Sequence, residues 1–84
     1  MVALEAAIKS FDGCALKATA KSTCVYRGAA SASIMIIGEA PGRDEDLQGR
    51  PFVGRAGQLL DRMLTAIDVD ESNVHITNVV YWRP

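Results

Sequence analysis

Positive charge is in short supply in this sequence. Nine Lys and Arg stand against ten Asp and Glu, with one His, for a formal net charge of −1. Domains that grip nucleic acid by its phosphates usually carry a basic patch, so composition alone gives no sign of such a partner. Long apolar runs are missing too, and nothing approaches the roughly 18 residues of a membrane span. Met1-Val2-Ala3-Leu4-Glu5 has neither the charged start nor the apolar stretch of a secretory signal, which points to the cytoplasm and to no membrane partner. Only two cysteines occur, Cys14 and Cys24, ten residues apart. Without a secretion signal they are expected to be free thiols. As metal ligands they would need two further partners, and His75 is the only histidine. Repeats and low-complexity tracts are also absent. A hydrophobic content of 49% argues against disorder. Eighty-four residues allow at most one small domain.

Against these absences, two stretches stand out as strands. Ile34-Met35-Ile36-Ile37 is a continuous apolar run, suited to a strand covered on both faces. Val74 to Val80 is rich in β-branched residues and predicts a second strand. Between them Leu59, Leu60, Met63, Leu64 and Ile67 share one face of a helix at about 56–67. Leu4, Ala7, Ile8 and Phe11 predict an N-terminal amphipathic helix over 2–10, ended by Asp12-Gly13. Val25-Tyr26 is a candidate short strand, and residues 68–72 read as a turn. Strand, loop, helix and strand form a βαβ unit with parallel strands, and the fold class is α/β. In a parallel sheet the loop after the first strand and the residues from Asn78 onward open on one edge, so they converge on a single crevice.

That loop, residues 38–54, is the most informative part of the chain. It holds four glycines, two prolines and four carboxylates, a composition that argues against regular helix or strand. Glu39, Asp44, Glu45 and Asp46 could orient or deprotonate a water in a partly dry crevice, or they could be a solvated acidic face. Clustered carboxylates can also bind Mg²⁺, although their spacing fits no EF-hand loop. Gly38-Glu39-Ala40-Pro41-Gly42 lacks the Gly-Lys-Ser/Thr ending of a phosphate loop and puts acids where phosphate charge would sit. Phe52 reads either as a core plug or as a stacking platform. Asn78, a polar amide in an apolar strand, either caps the next turn or reads the edge of a ligand. His75 is expected to point outward.

Taken together, Gly38-Glu39-Ala40-Pro41-Gly42, Glu45-Asp46, Gly49-Arg50-Pro51-Phe52-Val53-Gly54, Ala56-Gly57-Gln58-Leu59-Leu60 and Thr77-Asn78-Val79-Val80 resemble the family 4 uracil-DNA glycosylases. The resemblance is strong over 34–84 and weak over 11–25. It implies part of a three-layer α/β/α fold, with 1–84 as the N-terminal part of a larger domain. It also implies DNA repair by hydrolysis of the N-glycosidic bond of uracil in DNA, after the nucleotide is flipped from the stack. Carried over by position, Glu39 is the first candidate to position the water and Glu45 the second. Amides around Gly38 and Ala40 would bind uracil oxygen and stabilise the departing base. Phe52 would stack on the ring, and Asn78 would bond its Watson–Crick edge.

The chain departs from that family in three ways. Many members hold a four-cysteine iron–sulfur cluster, beginning with Cys-x-x-Cys and with a third cysteine just before Arg-Pro. Here those positions are Phe11, Cys14 and Trp82, and Cys24 falls at none of them, so no cluster or metal cofactor is expected. An aspartate of the wider superfamily falls at Ala40. The family's C-terminal histidine motif has no counterpart, and these 84 residues alone are expected to be inactive. The alternative reading is a non-catalytic module of the same fold that binds nucleobases, DNA or a protein. An open sheet edge could also pair with a second copy.

Overall fold

The β-branched run after Val74 forms the central strand of a three-stranded sheet in the computed structural model, which describes all of residues 1–84. This strand, β3 (His75–Asn78), lies between β1 (Tyr26–Gly28) and β2 (Met35–Gly38). β2 runs parallel to β3, with Met35 opposite His75 and Gly38 opposite Asn78. β1 runs antiparallel, with Arg27 opposite Ile76. Three helices complete the chain: α1 (Val2–Ser10), α2 (Arg43–Gln48) and α3 (Arg55–Ala66). The α/β class, the parallel pair and the helix between its strands follow the expectation from sequence. Both outer strands have one unpaired edge.

Val74 and Ile76 are fully buried and form the core with Cys24, Val25 and Trp82. The sheet is not covered on both faces, however. Met35 and Ile37 of β2 are exposed, because α1 contributes only Leu4 and Ile8 to the groove beside them. The apolar stripe of α3 is likewise split. Leu60 and Leu64 are half-buried, whereas Leu59, Met63 and Ile67 are exposed.

Two further expectations are corrected. His75 does not point outward: it is buried, its ring stacks on Tyr26 at 4.8 Å, and its Nδ1 lies 3.3 Å from the Ala29 carbonyl oxygen. An aromatic neighbour across the antiparallel pair thus covers the face that alternation assigned to solvent. The 38–54 segment is also not loop throughout, since Arg43–Gln48 is helical. Three acids in its first turn complement the N-terminal end of the helix dipole. Glu45 reaches back to accept from the Gly42 amide at 3.0 Å, and Gly49, at φ 73°, ends the helix in the left-handed conformation.

Candidate functional site

The carboxylate cluster separates into different tasks. Asp46 is buried, and its Oδ1 accepts from the amides of Lys21 at 2.9 Å and Ser22 at 3.0 Å. It ties the segment before β1 to α2. Both oxygens of Glu45 are engaged by backbone: Oε1 accepts from Gly42, and Oε2 accepts from Val53 at 2.8 Å and Gly54 at 2.6 Å. Burial pushes its carboxyl up, but the amides of Gly54, Val53 and Gly42 outweigh this and hold it below the ordinary carboxylate range. Glu39 is different. It is exposed, and its carboxylate pairs with no other group of the chain.

Glu39, Ala40, Glu45, Phe52, Ala56, Gly57 and Asn78 line one cavity of about 210 Å³. The strand ends are bound together beside it. The Val79 amide donates to the Gly38 carbonyl and the Val80 amide to the Glu39 carbonyl, each at 2.9 Å. The amides of Glu39 and Ala40 donate to nothing in the chain, so they remain available to a ligand. Asn78 is only 3% exposed, yet its side-chain amide has no partner in the chain and is not sealed from the cavity. Its donors and acceptor are therefore free to bond a molecule that enters the cavity.

Phe52 faces Asn78 across Gly38. A Cβ at Gly38 would lie 2.4 Å from the Phe52 ring and 2.5 Å from Asn78 Oδ1, so only glycine permits this approach. Phe52 itself has φ 56°, a conformation that costs a bulky residue of order 1–3 kcal/mol. Its backbone packs on Gly57, where a Cβ would meet the Phe52 carbonyl oxygen at 1.8 Å.

Residues 25–84 match the model of the Uracil DNA glycosylase superfamily. The chain belongs to that superfamily. Type-4 uracil-DNA glycosylases of Pyrobaculum aerophilum and Archaeoglobus fulgidus are each 48% identical to it over 77 residues, 92% of this chain and 39% of theirs. The one from Thermotoga maritima is 40% identical over 77 residues, 92% of this chain and 40% of its own. The chain thus spans about two fifths of the length of these relatives.

The resemblance in sequence sets two cysteine positions of an iron–sulfur cluster at residues that offer iron no donor. Phe11 and Trp82 stand there and stack on each other with centroids 6.3 Å apart. The Trp82 indole N–H donates to Thr23 Oγ1 at 2.9 Å, and Tyr81 meets the indole edge-on at 6.0 Å. Aromatic carbon offers iron no lone pair, and no three His, Cys, Asp or Glu side chains converge elsewhere. No helix is long and apolar enough to cross a membrane.

One participant escaped the reading from sequence. Arg27 is buried on β1 and donates from Nε to the Pro51 carbonyl and from Nη2 to the Phe52 carbonyl, each at 2.8 Å. A lone arginine in a weakly patterned segment carries no local signal. The available clue was its alternation with buried Val25 in a candidate strand.

Proposed function

We propose that the cavity between Phe52 and Asn78 is part of a uracil site, in a protein that hydrolyses the N-glycosidic bond of uracil in DNA. The observation carrying this reading is the Asn78 amide, held on a buried residue, without a partner in the chain, open to the cavity and facing an aromatic ring across Gly38. An amide offers one acceptor and two donors, which match the N–H and an adjacent carbonyl of uracil. The Phe52 ring gives the base a stacking surface. The unbonded amides of Glu39 and Ala40 suit the oxygen on which charge grows as uracil leaves.

The carboxylate left for chemistry is Glu39. Its side chain borders the cavity without a partner, so it can hold a water and accept its proton. The water oxygen bonds to the sugar carbon, the C–N bond breaks, and its electron pair leaves with uracil. Glu45 supports the site differently, because its lone pairs already take three backbone amides. It maintains the loop. The aromatic stack of Phe11 and Trp82 takes the structural place of a cluster, and the steps assigned to Glu39 and Asn78 pass through no metal.

An excision assay on a uracil-containing oligonucleotide, run on this chain and on a protein spanning the full length of its relatives, tests the reading. Full-length protein should release uracil, and Glu39→Gln and Asn78→Ala should each slow release markedly. Wild-type rates in both variants would refute the site. Saturable uracil binding with no release at full length would instead identify a non-catalytic module. Reconstitution with iron and sulfide should leave neither bound to the purified protein.

A further inference from the structure

We propose that Arg27 is a positioning residue of this site, one that sets the Phe52 platform without lining the cavity. The inference rests on the uracil reading above and deepens it. The peptide between Phe52 and Val53 is held at both ends: its carbonyl accepts from Arg27 Nη2 at 2.8 Å, and its N–H donates to Glu45 Oε2 at 2.8 Å. With that peptide fixed, the rotation after the Phe52 Cα is fixed, and with it the direction in which the Cα–Cβ bond carries the ring toward Gly38. Arg27 also holds the preceding peptide through the Pro51 carbonyl. Phe52 is therefore kept in its left-handed conformation from both sides.

The guanidinium is itself braced from behind. Nη2 meets Asp61 Oδ1 of α3 at 2.8 Å, and Nη1 meets Glu71 Oε1, just before β3, at 3.5 Å. Its own side chain is 6% exposed, whereas Asp61 and Glu71 are half-exposed. One planar fork thus fixes the loop to α3 and to the approach of β3, the strand that presents Asn78. A lysine would retain the charge but could not meet two successive carbonyls and two carboxylates in one plane.

The test uses the isotope-labelled 84-residue chain and the ring-current shifts that Phe52 imposes on the Gly38 Hα and the Asn78 side-chain amide. Phe52→Ala provides the reference without the ring. In Arg27→Lys these signals should move most of the way to that reference while the far-ultraviolet circular dichroism is retained, and free uracil should bind about tenfold or more weakly. Asp61→Asn, at an exposed position, should move the same signals in the same direction by less; it decides the matter if Arg27→Lys does not fold. Signals at wild-type positions in the folded variants would overturn the proposal. If the signals move but the wild-type chain shows no uracil titration, the role of Arg27 stands and the uracil reading falls. If wild type and Arg27→Lys bind uracil equally, the role of Arg27 falls and the uracil reading stands.

Discussion

Glu45→Gln separates a structural from a catalytic role for this carboxylate. The wild-type side chain accepts from three amides, and two of them, Val53 and Gly54, share Oε2. Glutamine retains one oxygen and replaces the other with an NH₂ that cannot accept. At least one amide loses its partner or meets a donor. A hydrogen bond to a charged acceptor contributes about 1.5–3 kcal/mol, and the half-exposed setting puts this one at the low end, about 1.5–2 kcal/mol. For a domain of this size that is a fall in Tm of roughly 6–16 °C. The pH dependence provides an internal check. The folded carboxyl lies below its ordinary value, so its contribution is complete above the unfolded pKa, near 4.3, and is lost as pH falls through the folded pKa. Once protonated, the Glu45 side chain resembles the glutamine of the variant in charge and shape. Thermal unfolding followed by circular dichroism should therefore show a large difference between the two proteins at pH 7, one that narrows progressively as the pH is lowered below about 4.3. A difference that does not narrow with acid, or none at pH 7, would refute the clamp.

Other perturbations follow from the same contacts. Gly57→Ala should destabilise by about 3 kcal/mol or more in urea unfolding, because the new methyl meets Phe52 backbone at 1.8 Å. Gly38→Ala should cost about 1–3 kcal/mol, because the new methyl meets both the Phe52 ring and Asn78 Oδ1, and it should remove uracil binding in a titration. Trp82→Ala removes a buried indole and its stack on Phe11, and should cost about 3 kcal/mol in the same unfolding assay. Burial, reinforced by Asp46 and then Glu45, pushes the Cys24 thiol up to about 11. At pH 8 iodoacetamide should spare Cys24 in the folded chain and modify it once urea is added, as read by mass spectrometry of the Cys24 peptide.

Much of the frame was legible because it depends on local pattern. The β-branched run at Val74–Val80 and the apolar run at Ile34–Ile37 each place a strand, and hydrophobic spacing places α3 within a residue of its observed start. What pattern could not show was which carboxylate meets which amide. Asp46 and Glu45 look alike as neighbours in sequence, yet a helix turns one toward Lys21 and Ser22 and the other toward Val53 and Gly54. The helix had its own signals, acids in the first turn and Gly49 at the end, but the glycines and prolines around it spoke for a loop. His75 was misjudged because alternation gives the side of a strand, not what covers it. Here Tyr26, two strand positions away on β1, does the covering.

The same limit explains why Arg27 was invisible while Phe52 was not. A strained residue needs surroundings that over-determine it, and those surroundings come from distant parts of the chain. The Phe52–Val53 peptide lies between a cation at its carbonyl and an anion at its N–H, drawn from β1 and α2 respectively. A peptide dipole aligned between opposite charges is held more firmly than by neutral partners, because both of its hydrogen bonds are charge-assisted. The arrangement also keeps the site in charge balance. Arg27 is answered by Asp61 and Glu71, and the negative charge of Glu45 is spread over three backbone amides. Arg27 shapes the cavity without lining it, and Glu45 lines it with its carboxylate already turned to the backbone. Glu39 is thereby left as the cavity carboxylate with both oxygens free for a ligand or a water.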